Sequence, residues 1–292
     1  SYAAAAGTLY FGVPTVWSRV VADSDAGIAA LTVLGLAEPQ SSGIGGGAFA
    51  VYYDAASPFD IAAVRALAER VAVSPPTVTG FYEWGAWVNG GAWIHTAAGK
   101  VDFLYRSLDQ VEQTIQEAQA GIMRHDFDQQ PTFGFYSVMY LAETRICRPL
   151  YDPDGVIARL KESVAVYPPA LKRKAIADSL WAVEFTLLHA DTHATKGDVY
   201  NTVGCLTRCA TNLTQALFAL NETYFLTDKR ALRTIETFAL QPQNYGGRLN
   251  AILACPGGDI TALQASVGAV RQLWREAGEL AGEYYKGSIW TP

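Results

Sequence analysis

The sequence is poor in the residues that most often announce chemistry or location. Histidine and cysteine occur four times each and methionine twice among 292 residues. The cysteines show no C-x2-C spacing and no nearby histidine, so a zinc site is not expected. Charge is sparse as well. Only 17% of residues are Asp, Glu, Lys or Arg, the formal net charge is -6, and Lys and Arg form no block. A preformed electrostatic track for nucleic acid is therefore not expected, although a small local basic patch stays open. No uninterrupted apolar stretch reaches the ~18 residues that a bilayer span requires. Ser1 to Gly7 is small and alanine-rich, without the basic start and apolar core of a secretion signal, so a cytoplasmic protein is expected.

What is present fits an ordinary globular chain. Half of the residues are apolar, enough for two modest domains or one large one with a buried core. The cysteines are Cys147, Cys205, Cys209 and Cys255. Cys205 and Cys209 share a helical face, but without C-x2-C spacing or a neighbouring histidine they read as buried free thiols.

The pattern changes near Pro149, predicting domains over 1–148 and 149–292. In the first, Ala48 to Tyr53 reads as a buried strand, and Ile61 to Val71 carries apolar residues at helical spacing. Trp87-Val88-Asn89, Ala92 to His95 and Val101 to Tyr105 read as three consecutive strands, joined by turns at Gly90-Gly91 and Gly99. Ser107 is placed to cap a helix that begins at Leu108. After Pro149 long helices are expected. One runs from Pro168-Pro169 to about His193, a second carries Leu206, Leu213, Leu217 and Leu220, a shorter one starts at Asp228, and another spans Ile260 to Tyr285. Short connections between such helices imply a bundle. The expected class is α+β, a mixed-sheet domain followed by a helical bundle.

Asp102 is the conspicuous polar residue, a carboxylate in an otherwise apolar strand. It must be paired, metal-bound or placed at the strand end, because burying it bare costs several kcal/mol. Lys100 and Arg106 are the pairing candidates. Ser41 to Gly47 is a loop of hydroxyls and backbone N–H groups that either cradles an anion or simply turns into the strand. His189 and His193, with Glu184 nearby, have possible metal-ligand spacing on one helix; a solvated helix end explains them too. Trp84, Trp87 and Trp93 either stack on a base or sugar or pack in a core. Asp54 and Asp60 are expected to cap the turn and helix after the strand.

The segments Glu83 to Ile94, Lys100 to Arg106, Tyr151 to Gly155, Gly204 to Arg208 and Gln215 to Glu222 occur in order. Together they resemble nucleotidyltransferase-domain proteins of the aminoglycoside and minimal nucleotidyltransferase kind, over roughly 53–281. The resemblance implies a nucleotidyltransferase-type fold and transfer of a nucleoside monophosphate from an NTP to a hydroxyl acceptor with Mg2+. Asp102 would then act as metal ligand or general base. Ser41, Ser42, Gly43 and Gly45 would hold the phosphates. The family's acidic pair, counted back from Val51-Tyr52-Tyr53, falls on Gly46 and Ala48, which cannot ligate a metal. Trp17-Ser18-Arg19 with Asp23-Ser24-Asp25 is a fainter echo of the same elements. A catalytically degenerate domain that binds nucleotide or a protein partner is the alternative. Separately, Ala26 to Asp54, with its Pro39-Gln40-Ser41-Ser42-Gly43-Ile44-Gly45-Gly46-Gly47 run, resembles the large subunit of γ-glutamyltransferases. That implies a fragment related to γ-glutamyl transfer, although no Thr-Thr-His context for the family's nucleophile is present.

Overall fold

In the computed structural model, residues 10–14, 20–23, 30–33 and 46–287 are described, with side chains from Phe49 onward. The chain divides into two compact units, Ser1–Gln116 with Tyr140–Val166, and Glu117–Met139 with Tyr167–Pro292. The boundary read near Pro149 falls inside the first unit.

The first unit is built on a mixed sheet. Its strands are β1 (Tyr10–Pro14), β4 (Gly46–Tyr53), β5 (Thr77–Val78), β6 (Gly91–Thr96), β7 (Gly99–Ser107) and β10 (Cys147–Tyr151), in the order β10-β1-β4-β7-β6-β5. Strands β2 (Val20–Asp23) and β3 (Ala30–Val33) form a separate antiparallel pair. Among the described strands only β4 and β7 run parallel, and their register sets Ala48 beside Asp102 and Tyr52 beside Arg106. Alternation along these strands sends Phe49, Val51 and Tyr53 of β4, with Val101, Phe103 and Tyr105 of β7, into one core. Helix α1 (Ile61–Val71) covers that face through Ile61, Val64 and Ala68, and Asp60 caps it by accepting from Ala62 N at 2.8 Å. Asp54 caps the preceding turn through Ala56 N.

One expected strand is a loop. Trp87-Val88-Asn89 lies in a run of turns, and Val88 N donates to Gly85 O at 3.1 Å. Asn89 explains why. It is fully buried, and its Oδ1 accepts from Ser107 N at 2.8 Å, so its polar side chain points into the protein to hold the end of β7. Gly90 is not a hairpin turn either. Its φ is +114°, and a Cβ there would lie 2.6 Å from Gly80 O and 2.7 Å from Tyr105 Cδ2. Ser107 does cap helix α2 (Leu108–Gln119), accepting from Gln110 N at 3.4 Å. Helices α3 (Val138–Ile146) and α4 (Val156–Ser163) follow around β10, and Lys161 Nζ donates to the Arg145 and Cys147 carbonyls where α3 passes into β10.

The second unit is helical, with a short strand pair, β8 (His125–Asp126) and β9 (Phe135–Tyr136). Its helices are α5 (Pro169–Ala194), α6 (Val199–Leu220), α7 (Ala231–Ile235), α8 (Tyr245–Ala254) and α9 (Ile260–Ala281). Proline suits the first turn of α5 because its missing N–H would have no helical partner there. Helices α5, α6 and α9 pack against one another through Leu180, Leu187, Leu213, Val267 and Leu273, all fully buried. The α+β class expected from sequence is observed. No helix among the described residues is long and apolar enough to cross a membrane.

Arg248 of α8 grips Glu276 of α9, with Nη2 to Oε1 at 2.9 Å. The hydrogen bond from Arg248 holds the Glu276 carboxyl below its ordinary range, against the opposing effect of burial. A depressed carboxylate stabilises the fold fully above the unfolded glutamate pKa of about 4.3, and that contribution is lost as pH falls through the lower folded value. Arg248→Met is therefore expected to flatten this part of the acid limb, read as urea midpoints from about pH 6 down to about pH 3. An unchanged pH profile would dissociate the pair from stability.

Candidate functional site

Alternation on β7 places Lys100, Asp102 and Arg106 on the sheet face opposite the aromatic core. Asp102 Oδ2 accepts from Lys100 Nζ at 3.2 Å, and the Asp102 side chain is 24% exposed. Its Oδ1 is buried with no hydrogen-bond partner among the described residues. Of the two pairing candidates, Lys100 is thus the one used. Arg106 turns to Glu143 of α3 instead, with Nε to Oε2 at 2.7 Å and Nη2 to Oε1 at 2.8 Å. Burial alone would favour the neutral guanidinium, but the Glu143 carboxylate outweighs it and holds the Arg106 pKa above its usual value.

The neighbours of Asp102 across the sheet are Ala48 on β4 and Trp93 on β6. Neither can ligate a metal. Gly46 lies beside Lys100, and among the described residues no group of three His, Cys, Asp or Glu could hold an ion. Mg2+ requires several hard oxygen ligands in near-octahedral array. The described residues around Asp102 do not provide them. Ser41, Ser42, Gly43 and Gly45, expected to hold phosphates, lie outside the described residues.

Beside Asp102 lies an aromatic stack. Trp93 is paired with Asp102 across β6 and β7, and Trp84 lies on it with ring centroids 4.5 Å apart and planes 22° apart. Trp84 remains 47% exposed. Gly91 makes room for the lower ring, because a Cβ there would meet Trp93 Cη2 at 2.9 Å and Phe103 O at 2.4 Å. The loop that carries Trp84 is tied at several points. Gly80 N donates to Glu83 Oε2 at 2.7 Å, Gly85 N to Tyr82 O at 3.1 Å, and Gln110 Nε2 to Ala86 O at 2.9 Å. His95 is exposed and sits across from Lys100. Trp87 is half-buried and lies 6.2 Å from Tyr140, as packing rather than platform.

The other sequence candidates do not converge on a site. His189 sets its ring edge-on to Phe185 at 4.8 Å, His193 Nδ1 lies 3.6 Å from Asp198 Oδ2, and Glu184 is fully buried and accepts from Tyr285 Oη. All four cysteines are free thiols, and burial pushes those of Cys147, Cys205 and Cys209 up, away from the reactive thiolate. Sequence reasoning missed Asn89 and Gln110 as the anchors of the Trp84 loop, and Glu143 as the partner of Arg106. Glu143 had no local signal, since it lies 37 residues from Arg106.

Two family models match parts of the chain. One described as Gamma-glutamyltranspeptidase covers residues 23–68, and one described as Domain of unknown function (DUF4037) covers residues 137–229. Neither spans half of the sequence. No curated protein matches it. Among solved structures, that of a nucleotidyltransferase-like protein from Exiguobacterium sibiricum 255-15 is similar over 97% of this chain and 73% of its own, at 8% identity and a TM-score of 0.45.

Proposed function

We propose that this chain is a nucleotide-binding module of nucleotidyltransferase type in which Asp102 partners Lys100 rather than ligating Mg2+. The observation that carries the reading is the register around Asp102, with Ala48 and Trp93 beside it and the Lys100 ammonium at 3.2 Å. Two-metal transfer needs acidic side chains that jointly hold the ions against the attacking and leaving oxygens. Among the described residues Asp102 is the one carboxylate at that place, and the Lys100 ammonium already pairs with its Oδ2. The nucleotide part of the reading draws on the sequence segments that occur in order over 53–281.

The test is Mg2+-dependent transfer of labelled AMP from ATP to small hydroxyl acceptors, run beside equilibrium dialysis of ATP with and without EDTA. No transfer is expected, and ATP binding should persist in EDTA. Transfer that disappears in Asp102→Asn would overturn the proposal and restore an active nucleotidyltransferase with Asp102 at its centre.

A further inference from the structure

We infer that the outer face of helix α5 is a docking seam for a second copy of this chain, packed antiparallel about a two-fold axis at the level of Val183. The inference concerns assembly and stands apart from the nucleotide-binding reading.

Helix α5 is apolar on two sides. Its inner stripe, with Leu180 and Leu187, is fully buried against α6 and α9. On the outer side Asp178, Trp181, Phe185, Leu188 and Thr192 follow one another at alternating spacings of three and four residues. That is the period by which one helix presents a seam to another. A helix apolar all round belongs inside a protein, yet Trp181 and Phe185 stay 48% and 42% exposed. The rings are not loose. Trp181 stacks on Phe185 with centroids 5.3 Å and planes 6° apart, and His189 sets its ring on Phe185 at 4.8 Å. Side chains already in contact lose little freedom on docking.

The occupant follows from the order of the residues, which is complementary to itself when reversed. With the axis level with Val183, Trp181 of each copy meets Phe185 of the other. Asp178 comes level with Leu188 and His189, a carboxylate beside an imidazole N–H. Lys174 comes level with Thr192, next to Asp191, whose side chain is 37% exposed although it accepts from Arg271. Each of these contacts is made twice, as an isologous interface requires. Lys174 and Asp178 hold each other at 2.7 Å, an exposed pair weak enough to change partners. A parallel pairing instead sets Asp178 on Asp178 and Lys174 on Lys174, which repel. From Lys174 to Thr192 the seam is about 27 Å long and one helix wide. That falls short of the roughly 800 Å² per partner of a standard stable interface, so the dimer is weak and concentration-dependent.

The experiment is sedimentation velocity of the full chain from about 1 to about 500 µM, for the native protein, Phe185→Lys and Asp178→Asn. The native chain is expected to dimerise with a Kd of about 10–200 µM. Phe185→Lys sets two ammonium groups beside the axis and should weaken the dimer at least about tenfold. Asp178→Asn removes the carboxylate from beside His189 and should weaken it by about two- to fivefold. A chain that stays monomeric at about 500 µM overturns the inference. So does a dimer that Phe185→Lys, with circular dichroism unchanged, leaves as tight as before. Tightening or no change in Asp178→Asn overturns the antiparallel arrangement, since a parallel pair would gain from losing two facing carboxylates. The native dilution series and Asp178→Asn decide the matter even if Phe185→Lys does not fold.

Discussion

Replacing Glu143 by alanine is expected to lower the stability of the sheet-bearing unit by about 3–5 kcal/mol. The Arg106 side chain is only 10% exposed, and its two strongest hydrogen bonds end on Glu143. Without that carboxylate the guanidinium keeps the Tyr105 carbonyl, at 2.8 Å from Nη1, and the face of Tyr140, 5.2 Å from its ring centroid. Neither neutralises a buried charge. Arg106→Lys should also be costly, because an ammonium cannot reproduce the two-pronged fork on a carboxylate. The double replacement Arg106→Met with Glu143→Met removes both charges and should recover most of the loss. Urea unfolding supplies the free energies, and hydrogen exchange over β7 reports whether the damage lies where Arg106 sits. A loss below about 1 kcal/mol for Glu143→Ala would mean that the pair behaves like an exposed ion pair.

This pair also shows how far the letters alone carried the fold. Strand β4 and helix α1 were legible because period-two and period-3.6 apolar patterns follow one another there, with Asp60 at the join. Helix α1 begins and ends where the spacing put it, at Ile61 and Val71. The long helices α5, α6 and α9 were legible for the same reason. Trp87-Val88-Asn89 misled because a run of two large apolar residues before a glycine pair looks like an extended strand. Its conformation is instead decided by Asn89 reaching Ser107, a contact across 18 residues. Strands β5, β8 and β9 are two residues long, too short for any periodicity to register. Strand β10 carries Pro149, which reads as a break until β1 is seen pairing beside it.

The site divides in a similar way. Asp102 drew attention because a charge in an apolar strand is conspicuous. Lys100, two residues earlier, was bound to share its face. Choosing between Lys100 and Arg106 required the position of Glu143, which claims Arg106 for α3. The tryptophans could not be told apart by sequence, since Trp84, Trp87 and Trp93 lie within ten residues of one another. Their environments separate them. Trp87 is half-buried near Tyr140, Trp93 lies over Gly91, and Trp84 alone keeps an open face. Exposure of this kind comes from loop anchoring, which leaves no periodic trace.

The second large effect is expected in the helical unit, where Leu180→Ala should cost about 2–5 kcal/mol. Leu180 is fully buried in α5, with Ile176, Val183 and Leu187 on the same stripe at spacings of four, three and seven residues. Facing helices supply Leu206, Leu213 and Leu217 from α6 and Leu263, Val267, Val270 and Leu273 from α9, all at zero exposure. Such a core is close-packed, so three missing carbons leave a void that the helices fill only in part. The Leu180 carbonyl also accepts from Trp274 Nε1 at 3.1 Å, which fixes the large indole of α9 beside the same turn and limits collapse into the gap. Leu180→Met nearly conserves volume and should cost less than about 1.5 kcal/mol. Tyr200, by contrast, is 87% exposed at the start of α6, and its replacement by alanine should stay within about 0.5 kcal/mol despite removing a larger side chain. Urea midpoints for the three variants test burial against size. If Tyr200→Ala proved as damaging as Leu180→Ala, the packing of α5 against α6 and α9 would not be the source of this unit's stability.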